Sequence, residues 1–158
     1  MRLRCGCQQR RAFSVVEGAL VLAVFVTLIM GMIDLGLEVL RYNQVSEAAR
    51  QIARQAIVHG SLASQLSPWS PASGAYPGSS PYTVPVTSTT DAIAIAIRNS
   101  GALAGMDTSS VTITMAWPDG DNQQDHRVQV TVSYTYQPMT TLIVPVTVSV
   151  TSTMPIAH

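Results

Sequence analysis

Lysine is absent from this chain of 158 residues, cysteine occurs only twice, and charged side chains make up 11 % of the sequence. Each shortage removes a class of function. Nine arginines balance nine acids, but Arg2, Arg4, Arg10 and Arg11 all precede Ala12. Without residues 1–12, five arginines face nine acids, a side-chain net of −4. Such a chain lacks the basic face that nucleic acid or an anionic lipid surface requires of an outer domain. Cys5 and Cys7 form a CxC pair, yet two thiolates do not complete a zinc site and no histidine lies near them. They read as two reduced thiols of a leader, and neither a metal nor another cofactor is expected. Beyond Ala12 there is no cysteine and hence no disulfide.

What the chain does have is an apolar run, AFSVVEGALVLAVFVTLIMGMID over residues 12–34, that contains a single carboxylate, Glu17, before Asp34 closes it. With Phe13 to Val16 included, it reaches the roughly 20 residues that cross a bilayer as a helix. A charge inside such a segment is costly and calls for a partner or a purpose. Arginines stand before the run, while Asp34 and Glu38 follow it, so the N-terminus is expected to stay cytoplasmic. A secretory signal peptide fits poorly, because no small-residue cleavage site follows the core and the helical pattern continues through Leu35, Gly36 and Val39. Lipoprotein processing at Cys5 or Cys7 fails because no apolar segment precedes either residue.

The helical period continues into RYNQVSEAARQIARQAIV, where Val45, Ala49, Ile52 and Ala56 recur at spacings of four, three and four. Gly60 supplies a stop, predicting one helix from about Ser14 to His59, half in lipid and half packed on a domain. Gly31 and Gly36 lie within it; local loosening and close packing against a neighbouring helix are equally compatible with two mid-helix glycines.

From Ser61 to Ser88 the chain carries Pro68, Pro71, Pro77, Pro81 and Pro85 among serines, which excludes long helices and central strands. Trp69, Tyr76 and Tyr82 are expected to pin this connection onto the domain. A second helix is predicted to start at Thr90 or Asp91 as N-cap, with Ile93 and Ile97 on one face and Gly101 or Gly105 near its end. The period then becomes two. Val111, Ile113, Met115 and Trp117 alternate with polar or small residues, PDGDNQQDH turns the chain, and Val128 to Tyr136 alternates again. Val146, Val148 and Val150 complete at least three antiparallel strands with one apolar face, which the amphipathic half of the long helix would cover. The fold class is therefore α+β: a long N-terminal helix on a small antiparallel sheet with a second short helix. The segments are a leader (1–12), a transmembrane helix (13–34), its amphipathic continuation (35–60), a Pro/Ser-rich loop (61–90) and an αβ domain (91–158).

Catalytic signals are thin. His59 reads as a helix C-terminal cap, His126 lies in a polar turn, His158 ends the chain, and no serine has a nucleophile-elbow context. Asp119, Asp121 and Asp125 have the spacing of a calcium loop, but Gln124 and Val130 stand where glycine and glutamate would be needed. An Asp/Gly/Asn turn in water is the preferred reading of that loop.

The basic leader, the segments Val16-Glu17-Gly18-Ala19-Leu20-Val21-Leu22 and Gly31-Met32-Ile33-Asp34-Leu35-Gly36, and the stretch from Ala48-Ala49-Arg50 to Ala56 resemble the TadE-like minor pseudopilins of tight-adherence (Tad) pili, relatives of type IV pilins. Weaker echoes lie at Val130 to Tyr134 and Val148 to Met154. The resemblance implies a pilin-like subunit cut on the cytoplasmic side by a prepilin peptidase at Arg10-Arg11-Ala12-Phe13, with Phe13 as the new N-terminus and Glu17 at position five as the assembly residue. It also implies a single-pass inner-membrane protein with a periplasmic C-terminal domain. Its partners would be other pilins and minor pseudopilins, the inner-membrane assembly platform and the lipid bilayer. Ala12 stands where the family usually has glycine, and Gly18 where it often has an aromatic residue. Two other classes remain open on the residues alone: an anchored envelope binding protein, whose helix is only a tether, and a membrane-anchored enzyme.

Overall fold

The computed structural model describes residues 6–63, 69, 80–139 and 144–157. No proline occurs before Pro68, and Gly6–Ile57 form one helix of 52 residues, α1. The expected start at Ser14 is thus corrected to Gly6. Gln8, Gln9, Arg10, Arg11 and Ala12 are all good helix formers, so nothing in the described part of the leader interrupts the backbone pattern. The far end falls two residues short of His59, whose N–H closes the last turn onto the Ala56 carbonyl at 3.1 Å.

Strand β1 (Tyr82–Val84), helix α2 (Ala92–Asn99), a 3-10 turn (Thr108–Ser110) and strands β2 (Val111–Ala116), β3 (Arg127–Tyr136) and β4 (Val146–Pro155) follow. The strands form one antiparallel sheet in the order β1-β2-β3-β4. The architecture is α+β, as the change from helical to alternating period requires. β1 was not legible, because its three residues YTV are too short to show alternation and sit among prolines. It occupies a sheet edge, where a proline-rich neighbourhood is tolerated.

The chain divides into two compact units, Met1–Val39 with Pro138–Val144, and Leu40–Gln137 with Pro145–His158. In the second unit the core is built from two periodicities. Val45, Ala48, Ala49, Ile52, Ala53 and Ala56 form the buried stripe of α1, while Ile113, Met115, Val128, Val130 and Val132 form the buried face of the sheet. Register sets Ile113 opposite Val132 and Met115 opposite Val130, so one face of β2 and β3 is apolar throughout. The amphipathic half of α1 supplies the cover that such a sheet needs. α2 adds Ile93, Ala94 and Ile97.

Asp91 caps α2, its Oδ1 accepting from the Ala94 N–H at 3.0 Å, and the Tyr82 hydroxyl donates to its other oxygen. Gln51 and Gln55 of α1 donate to the Ser100 and Ala96 carbonyls at 2.9 and 3.3 Å, satisfying acceptors at the end of α2. Gly101, at φ 73°, makes the turn that leaves the helix. On the opposite face of the sheet, Thr131 pairs with Thr151, Ser133 with Ser149 and Thr135 with Thr147, hydroxyl to hydroxyl at 2.9, 2.9 and 3.2 Å.

Candidate functional site: the exposed half of the N-terminal helix

Hydrophobic side chains from Phe13 to Ile33 lie exposed along α1, although this is the most apolar part of the chain. The segment is long and apolar enough to cross a membrane. Burial within the chain is not what stabilises it, so its apolar surface is available to lipid or to other helices. Backbone donors and acceptors are satisfied inside the helix, as a segment in hydrocarbon demands. The one threonine in the run, Thr27, donates its hydroxyl to the Ala23 carbonyl at 2.8 Å and so carries no unmet donor.

Glu17 is exposed on this helix, and among the described residues no side chain pairs with it. A partner, where one exists, comes from outside the described chain. Arg10, Arg11, Ala12 and Phe13 lie within the helical backbone of α1, one turn before Glu17. A Cβ built at Gly18, Gly31 or Gly36 would meet nothing within 4 Å, and α1 runs through Gly31 and Gly36 without interruption. The space beside both glycines is therefore open to an approaching helix.

Asp34 behaves differently from its neighbours. It is 1 % exposed, while Ile33 and Leu35 on either side are 47 % and 55 % exposed. Its Oδ1 accepts from the Met139 N–H at 3.1 Å, a contact across 105 positions in sequence. The sequence showed Asp34 only as a charge closing the apolar run. Nothing local signals that contact, because Met139 lies between β3 and β4.

The remaining chemistry is structural. Trp69 is buried and its ring stacks on His59 at 4.1 Å, with its backbone N–H donating to the His59 carbonyl at 2.9 Å, so it pins the connection as expected; Tyr76 lies outside the described residues. Arg41 donates to Gln44 and to the Gly105 carbonyl and lies 5.9 Å from the Tyr134 ring centre. In the hairpin loop, Asp119 accepts from the Arg127 guanidinium and from its backbone N–H, which holds the carboxyl at about 2. Asp121 pairs with His126, and Asp125 is at φ 68° with its N–H on the Ile156 carbonyl. The Asp119 and Asp121 carboxylates thus have separate partners rather than one shared centre. Among the described residues no group of three or more His, Cys, Asp or Glu is arranged to hold a metal ion.

No curated protein and no solved structure matches the chain. A family model described as TadE-like protein matches residues 13–54, running from the exposed apolar half of α1 into its buried stripe. The family that the N-terminal motifs resemble is the one whose model matches those residues, so the segment that carries Glu17, Gly31, Asp34 and Gly36 is similar to TadE-like proteins, a similarity that suggests association with a Tad pilus.

Proposed function

We propose that this chain is a noncatalytic, minor pseudopilin-type subunit of Tad pilus biogenesis. A prepilin peptidase removes residues 1–12 on the cytoplasmic side, residues 13–34 remain in the inner membrane as a single span, and the αβ domain lies in the periplasm. The N-terminal helix then packs with the helices of other pilins and minor pseudopilins, on the inner-membrane assembly platform. The observation that carries this reading is the TadE-like match over residues 13–54, which falls on a helix whose apolar half is exposed among the described residues.

Glu17 supplies the assembly chemistry. Cleavage after Ala12 creates an α-amino group on Phe13, a cation that hydrocarbon penalises as it does a carboxylate. Pairing the amino group of an incoming subunit with Glu17 of its neighbour offsets both penalties and favours one helix register over others. The open space beside Gly31 and Gly36 supports close approach of a second helix in the same array. Glu17→Ala is expected to leave membrane insertion intact and to reduce co-assembly with partner pilins. Recovery of the variant in pilus-enriched fractions at the wild-type level would contradict the role.

A further inference from the structure

The two edges of the sheet are built differently. β1, at one end, has three residues set between Pro81 and Pro85, and so short a strand blunts its edge. β4, at the other end, has ten and pairs with β3 in one unbroken register without a bulge. It has no proline before Pro155 and no charged side chain, so the usual devices against edge pairing are missing. The ladder also fixes which groups face outward. The Ile156 N–H donates to the His126 carbonyl at 2.7 Å, which continues the register and makes the even-numbered positions of β4 the hydrogen-bonded ones. Thr147, Ser149, Thr151 and Thr153 therefore turn their N–H and C=O groups away from β3, about 7 Å apart along the strand. The hydroxyl pairs of Thr131 with Thr151, Ser133 with Ser149 and Thr135 with Thr147 fall on the same positions, where facing side chains come closest. Among the described residues no backbone group pairs with this outer row. The apolar cover thins at the same place: Val128, Val130 and Val132 of β3 are fully buried, whereas Val146, Val150 and Met154 of β4 are half-exposed.

We propose that the free edge of β4 is a docking site for an extended segment of a partner subunit, which adds to the sheet as a fifth strand. A row of alternating backbone donors and acceptors is matched by another extended chain, whereas a helix keeps its own backbone groups occupied. The two faces of β4 set the partner's side chains: small hydroxyl residues beside Thr147, Ser149, Thr151 and Thr153, and β-branched or other apolar residues beside Val146, Val150 and Met154. A charged residue there would lose water and find no counter-charge on β4. A second copy of this chain, docked through its own β4, does not fit one bilayer. The amphipathic part of α1 runs opposite to β3, with Arg41 by the Tyr134 ring and the Ile57 carbonyl accepting from the Ala157 N–H next to the start of β3. Two copies joined edge to edge with their apolar faces on one side pair β4 antiparallel about a two-fold axis, which sets their Leu40 ends at opposite ends of the joint sheet. Spans entering from opposite ends do not cross one bilayer in the same sense. This exclusion rests on residues 13–34 being a membrane span; the docking edge itself does not.

Full-length protein in detergent micelles and a fluorescein-labelled peptide of the β4 sequence, VTVSVTST (residues 146–153), test the edge by fluorescence anisotropy. The free peptide has no span to orient, and in an antiparallel register about Val150 it sets hydroxyl beside hydroxyl, Ser149 opposite Thr151. Saturable binding is expected. Thr151→Pro removes an outward N–H and none that β3 uses, so it should keep the domain's cooperative unfolding and weaken the peptide by about tenfold or more. Thr151→Val gives up the hydroxyl pair with Thr131 but keeps the N–H, and should bind within about twofold of the wild type. Thr153→Pro reads the same edge should Thr151→Pro unfold the domain. Sedimentation of the wild type in the same detergent, without peptide, should show a monomer. Absence of saturable binding, or binding unchanged by the proline variants, overturns the docking site. A loss as large with Thr151→Val as with Thr151→Pro assigns the effect to the hydroxyl pair and overturns it as well. A wild-type dimer that Thr151→Pro splits gives the edge to a second copy and overturns the partner subunit.

Discussion

Ile52 and Val24 sit in the same helix, yet Ile52 is fully buried while Val24 is 60 % exposed. The difference divides one helix into a half buried in its own domain and a half exposed among the described residues. From Val45 to Ala56 the apolar residues are confined to a stripe, interrupted by Glu47, Arg50 and Arg54, and the chain itself supplies what covers them. From Gly18 to Ile33 the residues, Thr27 apart, are apolar all round, a pattern that no single sheet face could bury and that suits lipid or neighbouring helices as cover.

The same substitution made in both halves separates them most strongly. Ile52→Asp places an unpaired carboxylate in the core and is expected to cost about 3–5 kcal/mol or more of domain stability, read as loss of cooperative denaturant unfolding in detergent. Val24→Asp should leave that unfolding unchanged and instead disfavour membrane insertion by about 2.5–3.5 kcal/mol, read as a shift from the membrane to the soluble fraction. Equal damage to domain unfolding from both variants would erase the distinction.

Capping sharpens the internal half. Asp91→Ala removes the acceptor that holds the Ala94 N–H and the partner of the Tyr82 hydroxyl. It should cost about 0.5–2 kcal/mol of domain stability, seen as a lower denaturant midpoint, with insertion unaffected.

Legibility follows the same division. Strand alternation, the Asp91 cap, the turn at Gly101 and the buried stripe of α1 were readable because each depends on neighbours within a few positions. β1 was hidden by its length. The leader's continuation of α1 to Gly6 was missed because a reading centred on the apolar run gives no weight to the helix formers before it. Asp34 closes that run in the sequence, but its bond to the Met139 N–H, 105 positions away, has no local signature. Glu17 is the reverse case: the sequence marks it by its cost, and the chain's described residues provide nothing that explains it.

The smallest effect concerns acid. Side-chain hydrogen bonds from Arg127, reinforced by its backbone N–H, lower the Asp119 carboxyl from 3.8 to about 2. A carboxyl depressed by folding stabilises the folded state fully above its unfolded value, and that contribution is lost as pH falls through the folded one. Asp119→Asn should therefore flatten part of the decline in domain stability between about pH 4 and pH 2, measured by thermal melting, and change nothing in the insertion of α1. An unchanged acid limb would show that the pair contributes no stability.

In the proposed function the apolar half of α1 becomes the N-terminus of an assembling subunit. Intact mass of the protein, expressed with and without the cognate prepilin peptidase, tests it most directly. A species beginning at Phe13 is expected only when the peptidase is present. A full-length species beginning at Met1 under both conditions would contradict it, leaving Glu17 as an interfacial glutamate and the helix as a tether.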